Sequence, residues 1–110
     1  MNRGEVWQLA MNPGAEGEGH NRLVVILSND ALAVLPLRVV VPLVAWRDEF
    51  SKAPWMVRVP PVLNSGLEEA MAADALQVRS LATTRLKQRL GSLPERFTAQ
   101  IAAAIREVIG

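Results

Sequence analysis

The sequence predicts a mainly β domain: a small antiparallel sheet or barrel with one helix packed on it. Three observations lead there. Short apolar runs rich in β-branched residues recur at Glu5–Ala10, Arg22–Leu27 and Arg38–Val44, each bounded by Gly, Pro or Asn punctuation. One amphipathic helical pattern closes the chain, from about Pro94 to Ile109. Strands and helices do not alternate, which argues against a doubly wound parallel sheet.

The elements follow in order. Val6, Trp7 and Leu9 form a short strand between Gly4 and the turn Asn12-Pro13-Gly14. Met11 to Asn21 is a glycine-bearing loop. Leu23 to Leu27 is a continuous apolar run without alternation, the mark of a strand buried on both faces. Ser28-Asn29-Asp30 can cap a short helix over Ala31 to Leu35, which Pro36 stops. Arg38 to Val44 is a third strand, and Pro42 within it predicts an edge or a bulge because proline donates nothing to a ladder. Ala45 to Pro54 is a polar loop, and Trp55 to Val59 a strand.

Leu67 to Leu76 (LEEAMAADAL) is rich in helix formers, whereas Gln77 to Leu81 alternates like a strand, and propensity alone leaves the boundary open. A helical turn over Ala82–Lys87 and a short strand over Arg89–Leu93 come next. In the terminal helix, Ser92 and Glu95 have capping-box spacing. Phe97, Ile101, Ile105 and Val108 share one face.

A chain of 110 residues suits one domain spanning 1–110, and half of its residues are hydrophobic, which excludes a disordered chain. There is no cysteine and a single histidine, His20, so neither disulfides nor a zinc cluster is expected. No cofactor signature is present: no phosphate loop, no serine elbow. The first residues lack a signal-peptide pattern and no run reaches membrane length, so a soluble cytoplasmic protein is expected. The net charge of +1 is uninformative, but its distribution is uneven. Leu67–Asp74 holds Glu68, Glu69 and Asp74 without a base; Ala75–Pro94 holds Arg79, Arg85, Lys87 and Arg89 without an acid. Such a patch attracts phosphate backbones, or is simply a solvated face.

The candidate site residues are polar groups at strand ends. Arg22 opens the second strand, next to Asn21; it reads either as a snorkelling arginine or as a rigidly held guanidinium that forks onto a phosphate. His20 is the one side chain whose ordinary pKa suits proton transfer near neutrality, with Glu16 and Glu18 in the same loop. Gln77, Arg79 and Ser80 read as a polar strand face or as contacts to bases and phosphates. Trp46 and Trp55 flank the polar loop, either as core residues or as stacking platforms for unpaired bases.

Taken in order, RGEVWQLAMNPG (Arg3 to Gly14), Arg22, LVVILSND (Leu23 to Asp30), RVVVPLV (Arg38 to Val44), LQVRSL (Leu76 to Leu81) and the closing helix resemble the MazF/PemK family of bacterial toxins over nearly the whole chain. The resemblance implies a small SH3-like barrel with a C-terminal helix, usually a homodimer. It implies a metal-independent, sequence-specific endoribonuclease acting on single-stranded RNA, an mRNA interferase that inhibits growth. It also implies a cognate antitoxin that lays a disordered segment across the RNA site. Arg22 falls on the family's catalytic arginine, and Gln77 on a glutamine near the bound RNA. Glu16 and Glu18 lie where members carry a Gly-Ser-Glu-Gln stretch. His20 and Glu18 are then candidates for proton transfer; Asn21, Glu16, Gln77, Arg79, Ser80 and Trp46 are candidates for RNA contact.

Two departures stand out. Leu23 follows the arginine where members have proline, and Val44 stands where the third strand normally ends in a catalytic threonine or serine. Valine neither accepts nor donates a proton, so His20, a loop glutamate, Ser80, Thr83 or Thr84 would have to act instead, or the chain binds RNA or antitoxin without cutting. The VVVPLVA stretch is distantly similar to the gyrase poison CcdB, but that protein's Trp-Gly-Ile terminus is replaced here by Val108-Ile109-Gly110.

Overall fold

The computed structural model describes residues 1–10 and 22–110. Among the described residues, seven strands and one α-helix make up the regular structure: β1 (Glu5–Leu9), β2 (Leu23–Ile26), β3 (Leu37–Ala45), β4 (Met56–Val59), β5 (Met71–Asp74), β6 (Arg79–Ala82), β7 (Leu86–Ser92) and α1 (Glu95–Ile109). Single 3-10 turns at Asp30–Leu32, Asp48–Lys52, Ala75–Gln77 and Thr83–Arg85 lie between them.

Every ladder is antiparallel, in the order β4-β5-β3-β2-β1-β7, with β6 also paired to β3. The expected antiparallel sheet with a C-terminal helix is therefore present, but it is not closed as a barrel: β4 and β7 are the two ends of the hydrogen-bonded path. The gap between them is narrowed by the turn at Asn64–Gly66, where the Ser92 N–H donates to the Asn64 carbonyl at 2.8 Å.

The sheet is covered on both faces, and β2 shows why its sequence does not alternate. Val25 and Leu27 join Val6, Val41, Leu43, Val59 and Ala73 in a cluster with Phe97 and Ile101 of α1. Val24 and Ile26 point the other way, into a second cluster with Leu9, Val40, Leu81 and Leu86. A strand with apolar neighbours on both sides reads as an unbroken hydrophobic run.

One open boundary is settled and two local expectations change. Leu67–Leu76 is not a helix: it becomes a bend, β5 and a 3-10 turn, with Ala72, Ala73 and Ala75 at 0% exposure. These alanines are helix formers in isolation, but β5 lies between β3 and β4, where full burial and two ladders outweigh propensity differences of a few tenths of a kcal/mol. Pro42 is neither at an edge nor in a bulge. β3 pairs with β6 over Leu37–Val40 and with β5 over Leu43–Ala45, so a residue without an N–H fits the changeover at Val41 and Pro42. The capping box does not form: Pro94 is the N-cap of α1, and the Ser92 hydroxyl accepts from Arg89 at 2.8 Å. The Glu95 carboxylate instead accepts from the Thr98 hydroxyl at 3.0 Å. The helix buries Phe97, Thr98, Ile101 and Ala104, while Val108 is exposed because the last turn runs past the packed clusters.

Candidate active site

A cleft of about 710 Å³ opens where β2, β3, β5 and β6 meet. Its charged and amide-bearing lining residues are Arg22, Glu69, Gln77 and Arg79; its floor is apolar and includes Leu23, Pro42, Leu43, Val44 and Met71.

Arg22 reaches this position through its backbone. Its carbonyl accepts from the Leu9 N–H at 2.8 Å, which extends the β1–β2 pairing one step beyond Leu23 and fixes the Cα at the strand mouth. Its side chain is exposed at the cleft. Arg79 opens β6 opposite Val40. Gln77 ends the 3-10 turn that carries the chain from β5 to β6, across the point where β3 changes partner.

The orientation of Gln77 is set from beneath. Asp74, 6% exposed, accepts from the Leu76 N–H through Oδ1 at 3.1 Å and from Gln77 Nε2 through Oδ2 at 2.7 Å. A carboxylate is acceptor-only when ionised, so the amide turns its NH2 toward Asp74, and its carbonyl is not used in that contact. The cleft thus combines two guanidinium charges, one oriented amide and one carboxylate above an apolar floor. Such a set can hold an anionic backbone while apolar surface receives a base or ribose face.

The structure thus brings together Arg22, Gln77 and Arg79. Ser80 is exposed on β6 but does not line the cleft, since it alternates with Arg79 along the strand. Trp46 follows Ala45, which does line the cleft, but its half-buried ring packs edge-on against Phe50 with centroids 5.8 Å apart. Trp55 lies with Leu76 and Val108 in a separate small pocket. Glu16, Glu18, His20 and Asn21 lie outside the described residues. The other basic residues separate: Arg89 turns to Glu5 and Ser92, and Lys87 points to solvent.

Val44, 40% exposed, lines the cleft with methyl groups where a hydroxyl was expected. Sequence reasoning missed Glu69. With helix or strand left open over Leu67–Leu76, its carboxylate had no direction, and nothing local to the sequence would have placed it in one cleft with Arg22. Among the described residues, no group of three or more His, Cys, Asp or Glu side chains could hold a metal ion, and no helix is long and apolar enough to cross a membrane.

Residues 2–109 match the family model described as PemK-like, MazF-like toxin of type II toxin–antitoxin system, and the chain belongs to that family. It is 33% identical over 111 residues to Endoribonuclease MazF9 of Mycobacterium tuberculosis (strain ATCC 25618 / H37Rv), covering 96% of this chain and 93% of that protein. The same fold occurs in a MazE–MazF complex from Deinococcus radiodurans (TM-score 0.78, 23% identity, 100% of this chain and 96% of that one). It also occurs in an endoribonuclease in complex with its cognate antitoxin from a mycobacterial species (TM-score 0.76, 21% identity, 100% and 95%).

Proposed function

We propose that the chain is the toxin of a toxin–antitoxin pair and acts in the cytoplasm as a sequence-specific, metal-independent endoribonuclease on single-stranded RNA. The observation that carries the reading is the convergence of Arg22, Gln77 and Arg79 on one cleft. Family membership and the endoribonuclease relative support it. The chemistry is attack of a ribose 2′-hydroxyl on the adjacent phosphorus, with loss of the 5′-oxygen. Arg22 steadies the negative charge that grows on the phosphoryl oxygens, the kind of stabilisation that a fixed cation supplies best. Arg79 holds a neighbouring phosphate, and Gln77 meets a base or ribose. Trp46, Ser80, Asn21 and Glu16 are the sequence's further candidates for RNA contact; His20 and Glu18 are its candidates for proton transfer.

An antitoxin is the natural competitor. An acidic, partly apolar segment seeks the same two guanidinium groups and the same apolar floor, so it and RNA exclude one another. The active unit in this reading is a homodimer.

Incubation of the purified chain with a long single-stranded RNA in EDTA, beside Arg22→Ala, tests the proposal. Discrete fragments with cyclic-phosphate 3′ ends from the wild type alone are the expected result. Val44 favours one second reading, a toxin that binds RNA or antitoxin without cutting. Binding without fragments from the wild type would establish that reading instead.

A further inference from the structure

Cleavage by a 2′-hydroxyl needs a group that takes its proton. Of the described polar residues lining the cleft, Arg22 and Arg79 have no lone pair to offer and Gln77 presents only an amide carbonyl, a very weak base. Val44 brings no hydroxyl. Glu69 carries the one carboxylate among them.

Its placement is specific. Met71 pairs with Ala45 at the end of β3, and the Trp46 N–H donates to the Ala70 carbonyl at 3.1 Å, so the backbone is pinned to β3 right up to Glu69. The side chain therefore starts from a held position beside the strand end that carries Val44 and Ala45. The carboxylate makes no hydrogen bond or ion pair to another described residue, in contrast to Asp74, whose two oxygens are both engaged. The carboxylate is exposed at the cleft and can meet a ligand held there by the two guanidinium groups.

Resting on the endoribonuclease reading, we propose that Glu69 is the general base of the reaction. The proton of the 2′-hydroxyl passes to the Glu69 carboxylate as the 2′-oxygen bonds to phosphorus. The bond from phosphorus to the 5′-oxygen breaks, and that oxygen takes a proton from water. The products are a 2′,3′-cyclic phosphate and a 5′-hydroxyl. Glu69 returns its proton to the hydroxide left behind, so nothing is oxidised or reduced.

The test is single-turnover cleavage of a long single-stranded RNA in EDTA across a pH series, with wild type, Glu69→Gln, Glu69→Asp and Glu68→Gln. Glu68 lies on the same bend but lines only the adjoining pocket, so its variant controls for lost negative charge. Glu69→Gln is expected to lower the rate constant by on the order of 10²-fold or more. It should bind RNA as the wild type does and lose the acid limb of the pH–rate profile. Glu69→Asp recovers part of the rate, and Glu68→Gln cuts normally. Wild-type rate, or a retained acid limb, in Glu69→Gln overturns the assignment. A changed cleavage sequence at an unchanged rate also overturns it, and makes Glu69 a base-recognition residue. A wild type that does not cut at all overturns the endoribonuclease reading, and the assignment with it.

Discussion

Gln77 donates its side-chain amide to the buried carboxylate of Asp74 at 2.7 Å. One wall of the cleft is thus oriented by a residue that does not line it. Asp74→Ala strands the Leu76 N–H and the Gln77 amide together, at a cost of about 1–3 kcal/mol of folding stability. It also frees the Gln77 amide from its fixed orientation. The variant is expected to show a lower urea midpoint and a raised KM for RNA. Gln77→Ala leaves the buried Asp74 Oδ2 without its donor, so it should raise KM and also lower the midpoint. An unchanged KM in both variants would show the pair to be structural alone.

Arg22 and Arg79 share the cleft, and the proposed reaction gives them different tasks. If Arg79 only holds a phosphate, Arg79→Ala weakens RNA binding and makes it less salt-dependent, by about 0.7 in the slope of log K against log salt for a single strand. Arg22→Ala should instead abolish cutting. Arg22→Lys should recover little, because an ammonium cannot present the planar fork of a guanidinium. Fluorescence titrations at several salt concentrations, beside cleavage assays, separate the two.

The near-closure of the sheet rests on Gly91. A Cβ there would lie 2.3 Å from the Asn64 carbonyl oxygen and 2.4 Å from the Ser65 carbonyl carbon, both backbone atoms. Neither neighbour can move without opening the contact between the Asn64–Gly66 turn and β7. Gly66 faces the same strand from the other side at a φ of +76°, which L side chains rarely adopt. Gly91→Ala is expected to destabilise the fold by at least about 1–3 kcal/mol, read as a lower urea midpoint. An unchanged midpoint would mean that the turn and β7 are free to separate.

Glu5 supplies a pH dependence. Burial alone would raise the pKa of its carboxyl, but hydrogen bonds from the Trp7 indole, at 2.8 Å, and from the Asn2 backbone, together with the N-terminal ammonium, hold it below its ordinary value. A depressed folded-state pKa favours the fold above the unfolded-state value, about 4.3 for glutamate, and the gain is lost as pH falls through the lower folded-state value. Wild type should lose stability across that acid window more steeply than Glu5→Gln. Parallel melting curves from neutral to acid pH for the two proteins would contradict this.

Much of the fold was legible because its periods are local. The unbroken Leu23–Leu27 run announced a strand buried on both faces, and Phe97 and Ile101 announced the face of α1. Leu67–Leu76 was illegible because its alanines favour a helix, and only the neighbours β3 and β4 make a strand of them. The capping box was misread because Ser92 belongs to β7 and spends its hydroxyl on Arg89. In the cleft, Arg22, Gln77 and Arg79 could be picked from the sequence as polar residues at strand ends, whereas Glu69 could not.

The sequence by itself determined the class of the fold, the burial of β2, the hydrophobic face of α1 and the likeness to the toxin family, since side-chain period and residue order need no partner to be read. Only the tertiary structure decided that β3 serves two strands in turn. That changeover carries Gln77 and Arg79 across the sheet to Arg22 and sets Glu69 beside them. Local preferences amount to less than about 1 kcal/mol per residue for anything but proline, whereas burying a side chain such as Val or Ile is worth about 1.5–3 kcal/mol. Where the two conflict, the long-range pairing fixes the register, and the register places the site.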